Sequence, residues 1–159
     1  MLKHLLCSMV LISMLPSAAR ADGGMQLPGI THEAMKAECG ACHMVYQPQW
    51  LPQRSWEALM AGLDDHFGEV ATLPPEVNAD ILAYLMEYAA DAPGSRFGKR
   101  LLRRVKPDDT PIRITELPYW KSAHDEVSQG AYLRPKVKTK GNCVACHGPG
   151  AATGYFAED

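Results

Sequence analysis

Apolar positions along the chain fall into a few separate patterns. Leu5 to Leu15 form an apolar run of 11 residues, too short to cross a bilayer as a helix. Between Ser55 and Gly68 the stripe is Trp56, Leu59, Leu63 and His66, spaced i, i+3, i+7, i+10 on one helical face. Ser55 is placed to cap this helix and Gly68 to end it. Pro75 to Ala90 predicts another helix, with proline in its first turn and Val77, Ile81, Leu85 and Tyr88 along one side. Thr115-Glu116-Leu117-Pro118 opens a third, whose face is Leu117, Trp120, His124 and Val127. A shorter helix opened by Thr31 leads to Cys39. No strand–helix–strand alternation is visible, so the predicted fold class is all-α.

The first run belongs to a leader. Lys3 precedes it, and Ala19-Arg20-Ala21 follows as an A-x-A cleavage box, so residues 1–21 read as a secretory signal peptide cut before Asp22. Cys7 leaves with it. No stretch of 18 apolar residues exists elsewhere, so no membrane span is expected in the mature chain, whose destination is an exported compartment, the periplasm.

Charge then divides what is left. The chain carries 21% charged and 47% hydrophobic residues, which excludes a disordered polymer. The mature net charge of −4 lacks the basic excess of a nucleic-acid binder. It is unevenly spread: residues 22–92 sum to −9 and residues 93–159 to +5. The sign changes at the turn-rich Asp91-Ala92-Pro93-Gly94-Ser95, which predicts a boundary between a first domain over 22–92 and a second over 93–159. The second opens with Arg96, Lys99, Arg100, Arg103, Arg104 and Lys106, six positive charges in 11 residues.

Every cysteine of the mature chain lies in one of two C-x-x-C-H motifs, Cys39-Gly40-Ala41-Cys42-His43 and Cys143-Val144-Ala145-Cys146-His147. That spacing is the attachment signature of c-type haem. Two thiols on one turn reach the two vinyl groups on one porphyrin edge, and the next residue offers its imidazole to the iron. Zinc sites of two C-x-x-C pairs space them by about 15–20 residues, whereas 100 residues lie between Cys42 and Cys143. A thioredoxin-like pair needs a βαβ pattern, which is missing. Two covalent haems also answer a packing problem. Halves of about 70 residues have marginal cores, and an apolar macrocycle fills them.

Each iron needs a sixth ligand. With His4 in the leader and His43 and His147 as proximal ligands, His32, His66 and His124 remain. His66 ends an apolar stripe beside the first motif. Its rivals are Met60, beside which Leu59 and Leu63 take the buried stripe, and Met86, which lies off the stripe of its helix. Only 12 residues follow His147 and no methionine follows Met86, so the second ligand is expected upstream, at His124, with Lys140 and Asn142 as weaker rivals. His32 lies 11 residues before His43, about 16 Å along a helix, and reads as a first-turn surface residue.

The run from Glu38-Cys39 through His43, Tyr46, Pro48, Leu51-Pro52, Ser55-Trp56, Leu59-Met60 and Leu63 to His66-Phe67-Gly68, with Thr115-Glu116, His124-Asp125-Glu126 and Asn142 to His147, resembles the bacterial dihaem cytochrome c family of small periplasmic electron carriers. The resemblance implies a class I cytochrome c-like N-terminal haem domain and a smaller, irregular C-terminal haem domain, with bis-histidine iron in both. The ligands it implies are His43 with His66 and His147 with His124. It also implies a high-spin monohaem c-type protein and a membrane b-type cytochrome as partners. The function expected is electron transfer between redox proteins, not enzymatic turnover, because six-coordinate iron has no open position. The alternatives are a peroxidase or nitric-oxide-type enzyme with one five-coordinate iron, and the dihaem small subunit of a periplasmic nitrate reductase.

Overall fold

Proline and glycine punctuate this chain so often that its helices are short, and a largely helical molecule results. The computed structural model describes residues 24–157; the predicted leader, 1–21, lies outside them. Helix α1 spans Glu33–Cys39. Its cap is His32, not Thr31: Nδ1 accepts the Met35 amide at 3.2 Å. The other ring nitrogen meets Asp80 Oδ2 at 3.2 Å, and the ring packs on Tyr84. His32 is therefore a structural cap tied to another helix.

After a 3-10 turn at Pro48–Trp50, α2 spans Gln53–Ala61. It is shorter than the predicted 55–68 helix and begins earlier, behind Pro52. Ser55 does not cap it. Its side chain is buried inside the helix, with its hydroxyl unpaired. Gly62, at φ −111° and ψ 28°, stops the α geometry, and a 3-10 turn follows at Leu63–Asp65. That change of pitch shifts the stripe: Trp56, Met60 and Leu63 are buried, whereas Leu59 is only partly so. Helix α3, Pro75–Tyr88, packs against α2 through fully buried Ile81 and Leu85. Val77 is partly buried, and Tyr88 is exposed at the helix end.

The remaining helices are brief: α4 at Gly98–Leu101, α5 at Pro118–Ala123, α6 at Gln129–Tyr132 and α7 at Val144–His147. Thr115 does not cap α5. It lies in a 3-10 turn, Ile114–Glu116, and buried Leu117 precedes the helix without a side-chain cap bond. The helix stops before His124, which takes the C-cap position at φ −127°.

Both halves of the chain contribute to one apolar cluster that includes Leu27, Leu51, Ile81, Leu85, Leu101, Leu117 and Trp120. The ends meet as a two-stranded antiparallel sheet, β1 (Met25–Gln26) on β2 (Tyr155–Phe156), with Met25 opposite Phe156. Gln47, fully buried, accepts from Trp50 Nε1 at 3.3 Å and donates to the Ala151 carbonyl at 3.2 Å. Buried polar groups need such partners, so one side chain ties the first half to the last residues. Between the halves, 89–97 runs as consecutive turns.

Candidate functional site

The C-terminal end of α1 delivers the first cysteine motif. Cys39 closes the helix, Gly40 caps it, and Cys42 and His43 follow in an exposed turn. Only the first thiol is therefore helical, whereas in the second motif α7 carries residues 144–147 as one turn. Burial pushes the Cys39 thiol up and raises that of Cys143 to about 11.

The structure brings each motif histidine to a second histidine. The ring centres of His43 and His66 lie 6.3 Å apart with their planes at 21°. Those of His147 and His124 lie 5.9 Å apart at 87°. A metal–imidazole bond of about 2 Å plus about 1.1 Å from the bonded nitrogen to the ring centre separates two opposed rings by ~6.3 Å. Both pairs thus have the span of two imidazoles holding one metal ion between them.

Ring orientation supports the same fit. His43 Nδ1 lies 2.7 Å from the Met44 carbonyl, His124 Nδ1 2.9 Å from that of Trp120, and His147 Nδ1 2.8 Å from that of Ala157. A carbonyl only accepts, so Nδ1 donates in all three and Nε2 keeps its lone pair. Such outer contacts fix the tautomer of metal-binding histidines. Burial lowers the pKa of His66, with His43 and then Arg113 adding to it. Burial also lowers that of His124, against the opposing bond to Trp120. Both shifts favour the neutral imidazole. Among the described residues no group of three or more His, Cys, Asp and Glu side chains gathers. Each centre offers two imidazoles, which suits a macrocycle that brings four nitrogens of its own.

The rival ligands are otherwise engaged. Met60 sits in the core. Asn142 Nδ2 donates to the Val137 carbonyl at 3.0 Å. The Lys140 ammonium lies over the rings of Tyr132 and Trp120, at 5.4 and 6.0 Å.

Of three neighbours of the pairs, Trp120 shares the predicted apolar face of His124, whereas Tyr46 and Arg113 had no periodic signal in the sequence to mark them. Trp120 stacks on His124, with ring centres 4.2 Å apart at 15°. Tyr46 packs 5.2 Å from the His43 ring, and its hydroxyl donates to the Gly141 carbonyl at 2.7 Å, two residues before Cys143. One side chain therefore touches both centres. Arg113 lies over the Phe67 ring, 3.8 Å from its centre, beside His66. Phe67 has φ 61°, a left-handed conformation that costs a non-glycine residue on the order of 1–3 kcal/mol.

Comparison with curated proteins yields no match. A family model described as dihaem cytochrome c matches residues 35–156. Among solved structures, a diheme cytochrome c from Rhodobacter sphaeroides is 44% identical, with a TM-score of 0.74 over 82% of this chain and 100% of that one. A second structure of the protein purified from Rhodobacter sphaeroides gives 42% identity and a TM-score of 0.67 over 80% and 99%. A diheme cytochrome c from Shewanella baltica gives 34% and 0.59 over 76% and 82%. The paired motifs, the helical fold and these likenesses converge: the chain belongs to the dihaem cytochrome c family, with two c-type haems as its cofactors.

Proposed function

We propose that this protein is a periplasmic electron carrier whose two haems are both six-coordinate and bis-histidine. In this reading Cys39 and Cys42 would hold one haem through thioethers, with His43 and His66 as the residues that ligate its iron. Cys143 and Cys146 hold the other, with His147 and His124. The observation that carries it is the pair of ring separations, 6.3 and 5.9 Å, at the two motifs. Haem iron supplies one-electron chemistry at a potential that histidine ligation sets below that of a methionine-ligated cytochrome.

The protein's own residues fix the rest. The Met44, Trp120 and Ala157 carbonyls aim three of the imidazoles, Trp120 holds His124 flat, and Phe156 packs its edge on His147 at 5.7 Å. With both sides occupied, neither centre keeps an open position for substrate, which disfavours the peroxidase or nitric-oxide-type reading. The family supports electron transport, no helix among the described residues is long and apolar enough to cross a membrane, and a cleaved leader would send the chain to the periplasm.

Partners follow from the surface. Arg96, Lys99, Arg100, Arg103, Arg104 and Lys106 are all exposed, and none forms an ion pair among the described residues. Arg100, Arg103 and Arg104 line a cleft of about 280 Å³ with Tyr119 and Ser122 of α5. Tyr119 and Ser122 are one turn apart, and Trp120 lies on another side of the same helix, stacked on His124 at its C-cap. This basic face suits an acidic redox protein, with the acidic first half left for a basic one. A high-spin monohaem c-type protein and a membrane b-type cytochrome are the partners we assign to these roles.

Ferric electron paramagnetic resonance and a redox titration of the holoprotein test the ligation. His66→Ala and His124→Ala are each expected to turn one of the two haems high-spin, while His32→Ala leaves both low-spin. A resting protein with a high-spin haem, or unaltered spectra in both variants, would refute it.

A further inference from the structure

The turn that carries His66 is closed in an uncommon way. His66 and Glu69 exchange backbone hydrogen bonds, 2.7 Å from the His66 amide and 3.3 Å from the Glu69 amide. The two residues between them both have positive φ, 61° at Phe67 and 99° at Gly68. Such mirror-image two-residue turns favour Asn-Gly, since a bulky side chain resists this backbone. Phenylalanine stands at the first position here, and it is 40% exposed.

Strained residues persist where their surroundings over-determine them. Asp65 holds the turn locally, its carbonyl accepting the Phe67 amide and its carboxylate the Gly68 amide, both at 2.9 Å, and one further neighbour of Phe67 comes from the opposite half of the chain. The Arg113 guanidinium lies 3.8 Å from the centre of its ring, a close cation–π approach. Arg113 is itself steadied by Glu116, at 3.8 Å. On its other flank the Phe67 ring is 4.8 Å from that of His66. Arg113, Phe67 and His66 thus form a chain of contacts, the two rings tilted by 57°, whose last member lies beside His43.

We propose that Arg113 and Phe67 are positioning residues that latch the His66 turn from the second half of the chain and so control access of outside ligands to the first haem. The proposal rests on the assignment of His66 as sixth ligand and adds what keeps it there. When the latch is lost, the turn is free to relax its left-handed residue, and His66 leaves its place opposite His43 more often. Were His66 to hold the haem iron as proposed, its departure would leave that position to a neutral ligand such as carbon monoxide, an exchange of one donor for another with no electron or proton transferred.

Carbon monoxide is the probe, mixed with the dithionite-reduced holoprotein. The wild type is expected to take it up slowly, limited by departure of a histidine. Arg113→Ala and Phe67→Ala should each speed uptake about tenfold at one of the two haems, the other keeping its wild-type rate. Arg113→Lys, which keeps the cation but not the guanidinium, should fall between. Lys121→Gln, an exposed cation on α5, should match the wild type. Haem staining and the unchanged second haem show that each variant has folded and matured. Wild-type uptake rates in both Arg113→Ala and Phe67→Ala, with low-spin resting spectra, would overturn the latch alone. A wild type already high-spin at its first haem would overturn the ligand assignment and the latch together.

Discussion

The two histidine pairs differ in one angle, and that angle has a spectroscopic consequence. The rings of His43 and His66 lie within 21° of parallel, whereas those of His124 and His147 are nearly perpendicular at 87°. Parallel imidazoles direct their π donation at the same iron d orbital and split the pair. Perpendicular ones act on both and leave them close in energy. If both pairs ligate iron as proposed, the ferric protein should give two resonances of equal weight, one rhombic and one highly anisotropic with a large leading g value. His66→Ala should remove the rhombic signal and His124→Ala the anisotropic one. Two identical rhombic signals would contradict the geometry. That these histidines come together was legible in the sequence: the motifs mark His43 and His147, apolar spacing singles out His66 and His124, and the structure sets them in pairs. The angle was not, because it depends on carbonyls at Met44, Trp120 and Ala157 that no side-chain pattern records. Arg113 was equally silent, 46 residues from Phe67 and marked by no period.

Helix existence was easier to read than helix length. The stripe through Trp56, Leu63 and His66 suggested one helix to Gly68, yet α2 ends at Ala61. A 3-10 turn keeps Leu63 buried after the α geometry stops, so the apolar pattern outlasts the helix that it seemed to define. His124 likewise follows α5 as its C-cap and not as an interior residue. In both cases the helix end frees the histidine backbone to turn its ring toward the partner. Between elements, Tyr46 does what periodicity could not foretell by joining the loop after the first motif to the one before the second. A Cβ on Gly141 would lie 2.9 Å from the Tyr46 hydroxyl, so glycine allows this approach. Tyr46→Phe should cost about 1 kcal/mol of unfolding free energy at neutral pH, the worth of one hydrogen bond, read by denaturant titration. Burial, followed by the nearby Cys143 thiol, pushes the Tyr46 phenol from 10.0 up to about 12; once that thiol is a thioether, the burial contribution remains. The folded chain then holds a proton that the unfolded chain releases near pH 10. Stability should fall as pH rises above about 10, and Tyr46→Phe should flatten that fall. Equal alkaline loss in both proteins would exclude Tyr46 as its source.

At the scale of the whole molecule, the charge division read from the sequence, −9 against +5, meets a chain whose halves are tied together by the β1–β2 sheet, Gln47 and a shared apolar cluster. Opposite charges on one compact body make a dipole that orients the molecule as it approaches a partner. Arg54 pairs with Asp91 and sets its guanidinium on the carbonyls of Lys106 and Asp109. The six cations from Arg96 to Lys106 are left facing solvent. Exposed charges act through a screening length of about 8–10 Å near physiological salt, so transfer to an acidic partner at this face should slow steeply as salt rises. Neutralising Arg103, Arg104 and Lys106 together should reproduce the high-salt rate at low salt, while leaving exchange with a basic partner at the acidic half unaltered. Cations committed to haem propionates would behave differently, since buried pairs are weakly screened: their loss would move a reduction potential and leave the salt dependence in place. Stopped-flow rates across ionic strength, measured beside a spectroelectrochemical titration of the same triple variant, separate the two. Rates flat from low to high salt with every partner would mean that the asymmetry serves the inside of the molecule and not its encounters.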